Sequence, residues 1–314
     1  MNKYLPEGSI ISTLKNHEYT LTPDSLEAAR EKGIILEAVA ILCDHNFNLH
    51  VDLGPKLRAI IPRDEVQYVK DGEQIKDIAI LTRVGKAVCF KVKGFERSAG
   101  GEVVAILSRR AAQIECMHNY ISTLVPGDII PTKITHLENF GAFVDIGCGI
   151  TSLLSIDSIS VSRISHPSVR LSVGDMIHTV VKSIDSKGRI YVSERELLGS
   201  WNENASLFGE GQTVKGVIRS VESYGVFIEL RPNLAGLAEY RDDVRPGQTA
   251  AVYIKSIIPE KMKIKLIIID SHDAEELPEQ LEYFIDTDSV THLDHWKYSP
   301  PNCKKVIETV FANV

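Results

Sequence analysis

Two short runs carry most of the chemistry this sequence offers. Phe140-Gly-Ala-Phe143 and Tyr224-Gly-Val-Phe227 each set two aromatic rings three positions apart around a glycine. Such rings present flat apolar faces that stack on other planar groups. On a regular strand, positions three apart face opposite ways, so one ring would enter the core. Both reach the outside only if the glycine permits a bend or bulge. Other reactive residues do not assemble. The sequence has no nucleophile–base constellation, glycine-rich phosphate loop or paired-carboxylate motif, and His166 before Pro167 falls in a long loop, so no enzyme is expected. The clustered acids that a metal-dependent nuclease needs are missing too. Cys116 with His118, and His292, Asp294 and His295 with Cys303, fit no four-ligand zinc spacing. Neither a metal nor a cofactor is expected.

The elements that must hold the first ring pair occupy residues 125–196. Gly127-Asp-Ile-Ile-Pro-Thr-Lys-Ile-Thr alternates with period two, placing Ile130, Thr132 and Ile134 on one face. A short run (150–156), a polar loop, a strand pattern over 174–184, the turn Ser186-Lys-Gly188 and the run Arg189-Ile-Tyr-Val-Ser193 follow. Five short strands separated by turn residues predict a small closed sheet, an OB-type barrel. A shift of 84 positions repeats the pattern. Phe140 lands on Tyr224, Gly141 on Gly225, Phe143 on Phe227, Asp145 on Glu229, and, with a shorter loop between, Arg189-Ile matches Lys263-Ile264. A fainter copy lies upstream, where Phe47-Asn-Leu-His-Val-Asp-Leu-Gly54 puts Phe47 and His50 at the ring positions. Its strands are predicted over 34–42, 75–81, 87–92 and 103–107, with Val104 where Arg189 stands.

The order Gly-Asp, strand, Phe-Gly-Ala-Phe-Val-Asp-Ile-Gly, strand, Val-Gly-Asp, strand, Lys-Gly-Arg-Ile resembles the S1 RNA-binding domain family. That family is named for the large S1 protein of the bacterial small ribosomal subunit and takes the OB barrel fold. The resemblance implies that rings on the second strand and a basic residue on the last strand face single-stranded RNA. Here those are Phe140, Phe143 and Arg189, with Lys133 on the first strand; in the third barrel they are Tyr224, Phe227 and Lys263, with Lys215. Ser155 stands where the family often has histidine, and Glu239, near the same place in the third barrel, repels phosphate.

The expected fold is therefore mostly β: three tandem five-stranded OB-type (S1) barrels joined by short helical connectors, with an N-terminal helix and an acidic C-terminal segment. The boundaries read 1–32 for the N-terminal segment, 33–110 for a diverged barrel, and 111–124 for a connector. A barrel over 125–196, a connector over 197–208, a barrel over 209–270 and the acidic segment 271–314 complete the chain. The expected function is non-catalytic binding of single-stranded RNA, mRNA foremost, in translation or RNA metabolism, with the small ribosomal subunit as a further partner. The alternative is a protein-interaction scaffold on the same barrels, since fold alone does not set function.

Charge distribution agrees with that reading. The net charge of −7 is unusual for a nucleic-acid binder, yet it is unevenly spread. Residues 33–110 carry 12 basic and 10 acidic side chains, 125–199 carry 7 and 8, and 207–270 carry 9 and 8. Residues 271–314 carry 3 and 9, a net −6, so this segment is expected to repel phosphate electrostatically unless it packs on the third barrel. No apolar run approaches the roughly 18 residues of a membrane span, the N-terminus lacks a signal-like apolar core, and five scattered cysteines fit a reduced, cytoplasmic bacterial protein.

Local signals place the connecting pieces. Thr22-Pro-Asp-Ser-Leu-Glu-Ala-Ala-Arg-Glu-Lys-Gly33 predicts a capped helix that packs Leu26 and Ala29 on the first barrel. Residues 109–124 and 194–208 read as helical connectors, with Trp201 at a barrel end. A helix from Pro278 and a second one through Val306, Ile307, Val310 and Phe311 are expected in the acidic segment, anchored by Trp296 and Tyr298.

Overall fold

The computed structural model describes residues 3–55, 57–69, 74–98, 100–273 and 281–311. The protein is mostly β and contains three closed five-stranded barrels. It divides into two compact units: Met1–Leu124 with Asp145–Thr151, and Val125–Val144 with Ser152–Val314. No helix among the described residues is long and apolar enough to cross a membrane.

The first unit opens with α1 (Leu14–Thr20), capped by Thr13, in a stretch whose sequence shows no clear pattern. Its Asn16 side chain donates to the Glu37 carbonyl and accepts from the Glu37 N–H, which ties the helix to the barrel. The predicted helix is α2 (Pro23–Glu31). Thr22 and Ser25 cap it reciprocally, Pro23 takes the first turn, and Gly33 leaves it with a φ of 61°. Leu26 and Ala29 are fully buried in the barrel core.

Barrel 1 consists of β1 (Leu36–Cys43), β2 (Leu49–Asp52), β3 (Arg58–Ile61), β4 (Ala87–Arg97) and β5 (Val103–Ser108), in the order β1-β2-β3-β5-β4. Its third strand is not the predicted 75–81. Those residues contain α3 (Asp77–Leu81), and the strand is the shorter Arg-Ala-Ile-Ile61 upstream. Ala59 and Ile61 alternate into the core, whereas Ile78 and Leu81 remain exposed and Ile80 alone is fully buried from the helix. A run of isoleucines does not distinguish the two states without that periodicity. The connector α4 (Arg109–Asn119) follows. Arg109 grips Glu7 with two hydrogen bonds, and the Glu7 N–H donates to the Asp145 carboxylate.

The second unit holds the other two barrels. Barrel 2 has β6 (Ile129–Glu138), β7 (Gly141–Asp145), β8 (Thr151–Ser155), a one-turn helix α5 (Ile156–Ile159), β9 (Met176–Ile184) and β10 (Ile190–Ser193), in the order β10-β8-β7-β6-β9. Ile130, Thr132 and Ile134 point into its core, as their alternation predicts. The connector to barrel 3 is less helical than expected: turns over 194–200 precede a single short helix, α6 (Trp201–Ala205). Trp201 is 2% exposed within the barrel 3 core, so it packs and offers no face to a ligand. Barrel 3 comprises β11 (Thr213–Glu222), β12 (Gly225–Arg231), β13 (Leu234–Ala238), β14 (Thr249–Ile258) and β15 (Lys263–His272), in the order β11-β12-β13-β15-β14.

The acidic segment is built into this unit. The helix predicted from Pro278 begins outside the described residues. The second predicted helix is instead a strand: β16 (His295–Lys297) pairs antiparallel with β17 (Glu308–Val310). Its burial has period two. Phe311 is buried and Ile307 half-buried, while Val306 and Val310 are exposed, so the apparent helical spacing mixes the two faces. Trp296, Tyr298 and Phe311 join the barrel 3 core, as anchors. Backbone bonds from Ile129 N to Thr291 O and from Leu293 N to Gly127 O, both 2.9 Å, lace the segment along the start of β6.

Candidate nucleic-acid interface

The ring pairs owe their placement to a turn, not to a regular strand. Asn139 and Phe140 form the turn between β6 and β7, and Phe143 follows on β7. Phe140 is thereby released from strand alternation, and both rings lie outside the core. Phe140 is 54% exposed and meets Phe143 edge-to-face, with centroids 6.0 Å apart and planes at 88°. Barrel 3 repeats this: Tyr224 is 68% exposed and meets Phe227 at 6.0 Å and 86°. Edge-to-face contact holds the two rings in fixed orientation while leaving outer faces open.

The glycine between the rings is required by close approach. A Cβ on Gly141 would collide with the Leu154 carbonyl oxygen, and one on Gly225 would lie 2.5 Å from that of Ala238. Their φ angles, 156° and 153°, nearly coincide. Barrel 1 lacks this device. Asn48 follows its ring, Phe47 itself takes a φ of 63°, and the Arg63 guanidinium lies over that ring at 4.8 Å. The other ring position, His50, is bonded to Asp44 at 3.3 Å.

Pairing registers extend each site across the sheet. In barrel 3, Phe227 is opposite Leu237 on β13, and Leu237 is beside Lys265 on β15. In barrel 2, the bonds from Ile146 N to Ile150 O and from Ile156 N to Phe140 O place Phe143 across from Leu153. Leu153 is beside Tyr191 on β10. Each barrel thus presents an outward row of ring, leucine and then a tyrosine or lysine. In barrel 1 the corresponding row is His50, Ile60 and Ile106, in which the one ring is bonded to Asp44 and two isoleucines stand where barrels 2 and 3 have leucine and a tyrosine or lysine.

The basic residues predicted from sequence fall at different distances from these rows. Lys263 opens β15 and shares its outer face with Lys265, two positions on. Arg189 immediately precedes β10, exposed, with its Nε 2.7 Å from Asp185 Oδ2. The Arg189 backbone N–H and guanidinium together hold the Asp185 carboxyl below its usual range. Lys133 is two residues along β6 from Thr135, whose hydroxyl donates to the Phe143 carbonyl. Lys215 lies apart: it pairs with Ala251, five residues along β11 from Ser220, the partner of Phe227. At about 3.3 Å per residue that is roughly 16 Å from the ring row.

Four residues lie outside what the sequence reading marks. Lys265 and Tyr191 are found by carrying the period-two count past Lys263 and Arg189. Tyr240, 53% exposed beside Glu239 just after β13, has no repeat partner to mark it. His136 stacks on Phe143 at 6.4 Å with 20° between the planes, a neighbour that spacing on one strand cannot show.

Buried charge surrounds rather than enters the rows. Glu229, the repeat partner of Asp145, takes both Arg170 and Arg219. Beneath the acidic segment, burial pushes the Glu194 carboxyl up to about 8, and Tyr283 donates its hydroxyl to it at 2.9 Å.

Residues 124–195, the span of barrel 2, match the S1 RNA binding domain family. Small ribosomal subunit protein bS1 of Staphylococcus saprophyticus is 30% identical over 182 residues, covering 52% of this chain and 46% of that protein. The bS1 homolog of Bacillus cereus is 28% identical over 267 residues, covering 81% of this chain and 64% of its own. The chain thus spans about half to two thirds of the length of these relatives. A multidomain protein with nucleic acid binding domains from Streptococcus pneumoniae covers 76% of this chain and 73% of its own at 14% identity, with a TM-score of 0.23.

Proposed function

We propose that this protein, whose second barrel is an S1 RNA-binding domain, holds single-stranded RNA on barrels 2 and 3 without catalysing a reaction on it. Bases stack on Phe140 and Phe143 in one barrel and on Tyr224 and Phe227 in the other. Phosphates are met by Arg189 in barrel 2 and by Lys263 and Lys265 in barrel 3, with Lys133 as a further contact. The observation that carries this reading is the recurrence of one edge-to-face ring pair at the same place in two barrels, each with a Cβ-intolerant glycine beneath it. Stacking of this kind is tolerant of sequence and is worth roughly 1–3 kcal/mol per base. Similarity to bS1 proteins supports a cytoplasmic place in translation with the small ribosomal subunit as a partner, and mRNA is the RNA that this reading assigns to the barrels.

Barrel 1 contributes structure and no stacking platform, because Arg63 already covers Phe47 and its outward row is largely aliphatic. The test is affinity for labelled homopolymer RNAs and a matched DNA across a salt series. Salt-sensitive binding to single strands supports the proposal, and absence of binding at low salt rejects it in favour of a protein-interaction scaffold.

A further inference from the structure

We propose that His136 is a third base platform in barrel 2, at a place where barrel 3 has no ring. The inference rests on the RNA reading above and adds a residue that neither the repeat nor the family resemblance marks. His136 lies near the end of β6, with its side chain 63% exposed. Its ring lies nearly parallel to Phe143 at 6.4 Å, and Phe143 meets Phe140 at 6.0 Å. The three rings therefore form one connected surface in the order His136, Phe143, Phe140.

Two further observations give that surface a direction. The Glu138 carboxylate meets His136 Nε2 at 2.8 Å, so the ring is held by its edge and the face turned away from Phe143 remains available to a base. Glu138 is also an anion that repels phosphate from the His136 end, so a base is favoured there. Barrel 3 cannot copy this arrangement. A bulge in β11 sets Ser220 opposite Phe227, and Ser220 is the residue 84 positions beyond His136. Serine supplies no ring, so barrel 3 has no platform beside Phe227 at this place.

The test uses the full chain and labelled oligo(A) at fixed salt, with thermal stability measured alongside. His136→Ala is expected to weaken binding by about fivefold or more, the lower end of what one stacked base contributes. His136→Phe, which keeps a ring and discards the imidazole's polarity, is expected to restore binding, and Ser220→His to tighten it. Unchanged affinity in His136→Ala, with a loss in Phe143→Ala, overturns the third platform and leaves the RNA reading intact. Failure of His136→Phe to restore binding also overturns it, because the imidazole would then act through charge or hydrogen bonding. Absence of RNA binding by the unmodified chain overturns the RNA reading itself.

Discussion

Arg170 and Glu229 form a two-pronged buried ion pair, Nη1 to Oε1 at 3.0 Å and Nη2 to Oε2 at 2.6 Å. Arg170 comes from the loop between β8 and β9 of barrel 2, and Glu229 from β12 of barrel 3. Arg219 grips the same carboxylate from β11. One anion thus serves two guanidinium groups, both sheltered from water, and joins two barrels of one unit.

Glu229→Ala is therefore expected to cost about 3–5 kcal/mol, since it leaves buried like charges facing one another. Urea denaturation measures it. A loss under about 1 kcal/mol, the range of exposed pairs, would show that water screens this cluster.

The ring pairs separate binding from stability. Phe140→Ala removes a largely exposed ring, so folding stability should move by no more than about 0.5 kcal/mol. RNA affinity should fall by roughly 1–3 kcal/mol. Gly141→Ala should lower stability and binding together, because its Cβ strikes the β8 backbone. Paired calorimetry and RNA titration of the two variants distinguish these patterns.

Salt dependence locates the phosphate track. Neutralising Lys265 or Arg189 should flatten the log–log salt slope by about 0.7 for each phosphate that the variant no longer neutralises. Lys215→Ala should leave the slope unchanged, since Lys215 stands well along β11 from the ring row. An equal effect from Lys215 would move the track toward β14.

The charge of the acidic segment predicts restraint of RNA binding, and its packing leads to another outcome. Truncation after residue 280 removes Trp296, Tyr298 and Phe311 from the barrel 3 core. At about 1.5–3 kcal/mol for each large apolar side chain, the loss is several kcal/mol. The truncated chain should melt earlier without gaining RNA affinity. A stably folded truncation with tighter binding at low salt would restore the electrostatic account.

Glu194 couples stability to pH. Its carboxyl is fully buried, and burial raises it from 4.5 to about 8, so the folded protein keeps a proton that the unfolded chain releases. This contribution is complete below about pH 4.5 and declines as pH rises toward 8, by on the order of a few kcal/mol. Glu194→Gln, neutral at every pH, should flatten the decline between about pH 5 and pH 8. An identical decline in both proteins would assign it to other groups.

The legible parts of this chain are those with strong local periodicity. Ile130, Thr132 and Ile134 mark an inward strand face, the Thr22–Gly33 signals mark a helix, and the 84-residue repeat marks two barrels. Sequence and structure part where a short apolar run fits either state. Ile78 and Ile80 belong to a helix, and 306–311 contains a strand. The site is half legible for the same reason. Phe140 and Phe143 stand three positions apart in one run, but Leu153 and Tyr191 reach Phe143 only through pairing registers. Arg170 reads as part of a solvated loop because its partner Glu229 lies 59 residues away.

The lacing of residues 291–293 onto Gly127 and Ile129 bears on how the chain is made. Asp128 and His292 are separated by 164 residues, yet their side chains meet at 2.7 Å. At about 5–20 residues per second, synthesis of the intervening chain takes roughly ten to thirty seconds. During that interval barrel 2 has left the tunnel with the start of β6 paired to β9 on one edge and still lacking residues 291–293 on the other. A newborn chain therefore passes through a stage with an open strand edge, which invites pairing between neighbouring nascent chains on one message.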